Sequence, residues 1–241
     1  MKYPLAAVSF LTRLPVGRWV EFDASTVGSS AGWFPLVGIF LGAIYGLVAI
    51  LLVDRLPLLI VAILLVALDA LLTGALHFDG LADTADGFGG GKDREDVLRI
   101  MRDHSIGSYG GVALILAIVL KVAAYSILLQ RDHWLPIIVL TPALGRWSML
   151  ILTAWLPYAR QSSSVIDAMG KRSLIWGTLT VLCALLAAQV LRAWIAAAAV
   201  FIVTVCFGLY SRQKIAGITG DTLGANLQLS ESAALIVFLW L

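Results

Sequence analysis

The stretch HFDGLADTADG, His77 to Gly87, sets three aspartates, Asp79, Asp83 and Asp86, at positions i, i+4 and i+7. If one helix runs through them, all three carboxylates share a face. Like charges at that spacing repel unless a cation intervenes. Mg²⁺ suits the set: it takes oxygen ligands, keeps several waters and binds through one or two carboxylates plus substrate phosphates. Neither thiolates nor a dense set of histidines argues for zinc. The bland alternative is a solvated acidic helix end, although three aspartates beside Gly80 and Gly87 are an odd way to end a helix.

Two further stretches carry similar chemistry. Between Gly87 and Gly111 the run Gly89 to Gly91 offers backbone that could approach a phosphate, or simply a flexible turn. Arg102 there could hold a phosphate and Asp103 a metal, against the alternative of a surface ion pair. Far along the chain, Asp221 stands in GITGDTLGA with Thr219, Gly220 and Thr222, small residues that suit close approach to phosphate or metal and equally suit a helix N-cap. His77 and His104 flank the acidic stretch and are the histidines placed to act as a base. Asp69, Lys121 and Arg146 fall inside apolar runs, where charge is costly and faces a cavity or a partner. Arg146, with Lys121, could neutralise an anionic substrate; a pairing of Asp69 with either cation is the structural alternative.

The elements that must position these groups are membrane helices. Of the 241 residues 60% are hydrophobic and 13% charged, far from a soluble balance. Windows 33 to 53, 57 to 76, 110 to 129, 134 to 156, 174 to 191 and 193 to 210 approach the ~20 apolar residues of a span. Ser232 to Leu241 is apolar but would give a helix of only about 15 Å. The N-terminal run, interrupted by Arg13 and followed by no small-residue cleavage site, reads as a retained, short interfacial or re-entrant helix. The expected fold is all-α: one polytopic helical bundle over residues 1–241, with six to seven transmembrane helices and partial ones.

Charge sets the orientation. Lys2, Arg13, Arg18, Lys92, Arg94, Arg99, Arg102, Arg160, Lys171, Arg172, Arg212 and Lys214 fall on one side, against Arg55, Arg131 and Arg192 on the other. The positive-inside rule places the first side, with both acidic stretches, in the cytoplasm. A net charge of +2 without a basic stripe argues against nucleic acid. The two cysteines, Cys183 and Cys206, support neither a disulfide framework nor a thiolate site. No small-xxx-small seam stands out to fix an oligomer. Carboxylates at the cytoplasmic ends of membrane helices, with arginines and glycines around them, fit Mg²⁺-dependent attack on a diphosphate whose other part is lipophilic or membrane-held.

Over nearly its whole length the sequence resembles the cobalamin synthase family, the adenosylcobinamide-GDP ribazoletransferases. The resemblance rests on SFLTRLPVG at Ser9 to Gly17, FPLVGIFLG at Phe34 to Gly42, LLTGALHFDGLADTADG at Leu71 to Gly87, MRDHSIGSYG at Met101 to Gly110, YAR at Tyr158 to Arg160, and GITGDTLGA at Gly217 to Ala225. It departs where the family commonly shows Asp-Ser-Arg and this chain has Asp103, His104 and Ser105, so that a basic contact is either missing or supplied by His104. The resemblance implies a late step of coenzyme B12 assembly at the bacterial inner membrane, with the site on the cytoplasmic face. In it α-ribazole, or its 5′-phosphate, is joined through its 3′-hydroxyl to adenosylcobinamide-GDP, releasing GMP. Asp79 and Asp83 would be the core Mg²⁺ ligands, with Asp86 and Asp221 completing the site. Arg13, Arg102 and Arg160 would clamp phosphate, and His77 or an unliganded aspartate would serve as base. Membrane lipid is an implied partner, as is a second copy of the chain or another enzyme of cobalamin assembly. CDP-alcohol phosphotransferases also start from Asp-Gly, but need Ala-Arg shortly after and longer gaps. An ion or metal transporter would place its site near the midplane, often within an internal repeat, and none is evident.

Overall fold

The computed structural model describes residues 2–19, 23–160, 166 and 168–240. In chain order the helices are α1 (Lys2–Leu11), α2 (Ala24–Ser30), α3 (Phe34–Leu52), α4 (Leu58–Thr73), α5 (Leu76–Gly90), α6 (Arg94–Ile100), α7 (Ser108–Leu128), α8 (Trp134–Trp155), α9 (Lys171–Ala188), α10 (Leu191–Ile215) and α11 (Gly220–Trp240). Among the described residues there is no sheet; one isolated parallel bridge joins Tyr158 to Ile218. The fold is the expected all-α membrane bundle. Six helical stretches are long and apolar enough to cross a bilayer: Ser25–Leu52, Ser108–Leu128, Trp134–Trp155, Lys171–Ala188, Leu191–Ile215 and Gly220–Trp240. Exposed Leu47, Leu59, Ile115, Ile175 and Ile202 cover the outside, which suits lipid.

Two features differ from expectation. The span expected over 57 to 76 does not run on through the aspartates: α4 stops, and α5 leaves it at 90°. Gly74 (φ 64) and Ala75 (φ 57) are both left-handed, and the N–H groups of Gly74 and Ala75 close the end of α4 on Leu71 and Ala70. Gly74 also leaves room for the Arg13 side chain, where a Cβ would stand 2.2 Å from its Nε. The N-terminal segment is stitched to the same corner by Arg13 N–H on the Leu72 carbonyl, 2.7 Å.

The second difference is the C-terminal helix. Instead of a partial helix over Ser232 to Leu241, one continuous helix begins at Gly220, and 21 of its residues are described. Its polar positions Asn226, Gln228, Ser230 and Glu231 are buried against other helices, so its apolar character is not visible as an uninterrupted run. A small-residue seam exists as well: Gly38, Gly42 and Gly46 lie against Ala143, Val139 and Leu135 of α8. The seam that would serve an oligomer elsewhere is spent packing α3 on α8.

Candidate active site

The acidic face is assembled where α5 crosses the start of α11. Close approach is what Gly80 and Gly224 supply. A Cβ on Gly80 would stand 2.7 Å from the Asp221 carbonyl oxygen, and one on Gly224 would stand 3.2 Å from the His77 Cα. The Asp-Gly of one motif and the Gly of the other are therefore the contact that brings Asp79 and Asp83 to Asp221. Asp79 is exposed and Asp83 half-buried. The side chains of both lack a hydrogen-bond or ion-pair partner among the described residues. Asp83 sits in the repulsive field of Asp79, Asp221 and Asp86, with Arg160 as the opposing charge.

Asp221 is held from two sides. Its Oδ2 accepts from Arg160 Nη2 at 2.8 Å and from Thr219 Oγ1 at 3.3 Å. Arg160 is delivered by the backbone pairing of YAR with GIT, in which Ala159 N–H donates to Ile218 and Ile218 N–H to Pro157. Thr219 and Thr222 form a reciprocal cap: Thr222 Oγ1 accepts from Thr219 N–H at 2.8 Å and Thr219 Oγ1 from Thr222 N–H at 3.2 Å. Both threonines are buried, so their hydroxyls fix the end of α11 rather than face solvent, whereas Gly220 is exposed.

Asp86 has a structural task. Its Oδ2 accepts from Gly107 N–H at 2.7 Å and its Oδ1 from Gly110 N–H at 2.9 Å, which caps α7 across the turn that carries Arg102, Asp103 and His104. With both oxygens committed, Asp86 orders that turn beside the acidic face instead of standing free as a ligand. Asp86→Ala is expected to cost about 1–2 kcal/mol of stability, measured as the thermal midpoint in detergent. Arg102, Asp103 and His104 are all exposed. The Ser105 N–H bonded to Asp103 at 3.0 Å holds its carboxyl below the usual range. Arg13, at the α4–α5 corner, is exposed too.

Two expected site residues are placed elsewhere. His77, two positions before Asp79 and so about 200° around the helix, is 2% exposed and turned inward; its Nε2 has no partner. It does not reach the acidic face as a base must. Arg146 is fully buried, and its Nη1 donates to Glu231 Oε1 at 3.0 Å and to the Pro142 carbonyl at 3.1 Å. It meets an interior carboxylate, not a substrate. The other Glu231 oxygen takes Lys121 Nζ at 2.6 Å; Lys121 also lies 3.7 Å from Asp69, which accepts from Tyr45 at 2.8 Å. One network thus pins α3, α4, α7, α8 and α11 together. Glu231 was legible in principle: two cations inside spans against one anion left one negative charge to be found.

The donors of the acidic face suit Mg²⁺. They are carboxylates, those of Asp79 and Asp83 unpartnered among the described residues, with an arginine beside them. No group of three His, Cys, Asp or Glu side chains among the described residues forms a ready-made cage.

Residues 4–239 match the family model described as cobalamin-5-phosphate synthase. The chain belongs to that family. A protein of Syntrophobacter fumaroxidans named adenosylcobinamide-GDP ribazoletransferase is 38% identical over 234 residues, 93% of each chain. One of the same name from Ectopseudomonas mendocina is 39% identical over 240 residues, 97% of this chain and 96% of that protein. A third, from Clostridium botulinum, is 36% identical over 239 residues, 98% of this chain and 96% of the relative. No solved structure matches. Family membership makes the chain a transferase of cobalamin synthesis.

Proposed function

We propose that this chain transfers adenosylcobinamide phosphate from adenosylcobinamide-GDP to the 3′-hydroxyl of α-ribazole or its 5′-phosphate. GMP leaves, and adenosylcobalamin or its 5′-phosphate is formed. The observation that carries the reading is the meeting of Asp79, Asp83 and Asp221 with Arg160 at one end of the bundle, where two are left without partners and exposed or half-exposed. The names of the relatives supply the substrates.

In this reading the ribose oxygen attacks the phosphorus nearer the corrinoid, the bond from that phosphorus to the GMP oxygen breaks, and the hydroxyl proton passes to a carboxylate of the face or to solvent. Bound Mg²⁺, held by Asp79 and Asp83, supplies neutralisation of the diphosphate oxygens and of the departing GMP. Arg160 keeps Asp221 oriented through one nitrogen, and its guanidinium adds positive charge on the side where phosphate charge develops. The turn ordered by Asp86 presents Arg102 as a further cationic contact and His104 as a hydrogen-bonding one. The basic loops at this end support a cytoplasmic position for it, on the side of GDP-activated substrate, in a bacterial inner membrane.

The test is incubation of membranes bearing the chain with adenosylcobinamide-GDP, α-ribazole and Mg²⁺. Equal release of GMP and of a new corrinoid is the expected result. Chelation of Mg²⁺ is expected to stop both, and restoring the metal to recover them. Release of GMP without a joined corrinoid, or turnover indifferent to chelation, would refute respectively the acceptor and the metal.

A further inference from the structure

At the far end of α5 a cavity of about 310 Å³ opens between α6 and α10, with Lys92, Arg94, Tyr210, Gln213 and Lys214 in its wall. It is separate from the acidic face. Phe88 follows Asp79 by nine residues, two and a half helical turns, so it points to the opposite side of α5, where its ring packs on Phe207 and Tyr210. Among the described residues no carboxylate forms an ion pair with Lys92, Arg94 or Lys214. Backbone carbonyls hold two of them: Arg94 donates to Ile215 and Ala159, and Lys214 to Phe88 at 2.8 Å. Asp93 is the one acidic residue in the wall, and its Oδ1 is occupied by Asp96 N–H. Three cations against one carboxylate and two helix C-termini, each equivalent to about half a negative charge, leave the cavity positive, and the nearby Asp96, whose Oδ2 accepts from Lys92 N–H at 3.2 Å, is balanced by its ion pair with Arg99 at 2.6 Å.

Its position says what kind of anion would arrive. On α10 the exposed positions Ile202, Cys206 and Leu209 form a stripe at i, i+4 and i+7, and the next position of that stripe is Gln213, in the cavity wall. An outward apolar stripe that ends in a basic cavity matches acyl chains continued by a phosphate. We propose that this cavity binds the phosphate of an acidic phospholipid headgroup whose chains lie along α10. The assignment does not depend on the reaction at the acidic face.

Native mass spectrometry of the full chain, released from micelles holding equal phosphatidylglycerol and phosphatidylcholine, tests it. Each engaged cation is worth about a fivefold preference, so phosphatidylglycerol is expected to be retained over phosphatidylcholine by that factor or more. Lys92→Gln and Gln213→Glu each leave the backbone bonds of Arg94 and Lys214 in place, and each is expected to lower the preference about fivefold. Equal retention of the two lipids, or a preference that neither substitution moves, overturns the proposal. Inorganic phosphate displacing phosphatidylglycerol at millimolar concentration would assign the cavity to free phosphate and overturn the lipid assignment.

Discussion

Asp79→Asn and Asp83→Asn are each expected to lower the turnover of the transfer reaction by at least about a hundredfold while leaving the bundle intact. The loss follows from the chemistry. A carboxylate that holds the metal neutralising a diphosphate contributes several kcal/mol in the transition state, and about 2.7 kcal/mol is already a factor of a hundred. The lack of structural harm follows from the geometry. Asp79 is exposed, neither side chain has a bonded partner among the described residues, and removing one of several mutually repelling charges relieves the apo protein. The measurement pairs turnover at saturating Mg²⁺ with the thermal midpoint in detergent. Near-wild-type turnover in either variant would remove that residue from the metal site, and a collapse of the midpoint would make it structural.

Glu231→Leu is expected to act in the opposite way, through the fold. Its carboxylate is shared by Lys121 and Arg146, both buried, and removal strands two cations beside a single remaining anion, Asp69. Breaking such a buried pair costs about 3–5 kcal/mol. A double variant, Arg146→Met with Glu231→Leu, removes one charge of each sign and leaves Lys121 with Asp69, 3.7 Å apart. It is expected to regain most of the lost stability. Thermal midpoints of the single and double variants decide the matter; a double variant no better than the single one would show that Glu231 is held for something other than charge balance.

The same contrast separates what was readable in the sequence from what was not. The spacing of Asp79, Asp83 and Asp86 placed them on one helical side, yet it could not show that Asp86 would meet the backbone of Gly107 and Gly110, 21 and 24 residues on. His77 stood close to the aspartates in number and ended up facing inward. Arg146 was recognised as a charge inside a span, but its partner lies on α11, 85 residues away. The C-terminal helix shows no uninterrupted apolar run because Asn226, Gln228, Ser230 and Glu231, which face protein rather than lipid, break it.

By itself the sequence determined the solvent and the chemistry of this protein. An excess of apolar residues in span-length runs requires lipid, the distribution of basic residues gives the runs their expected orientation, and aspartates bracketed by glycines are the groups we propose to meet a cation and phosphate. These are local properties, set by composition and by the turn of a single helix. Tertiary structure alone decided which charges are left free and which are consumed. A carboxylate becomes a cap, a buried ion pair or an open ligand according to the donors that neighbouring helices bring within about 3 Å, and helix crossings at Gly80 and Gly224 fix those donors.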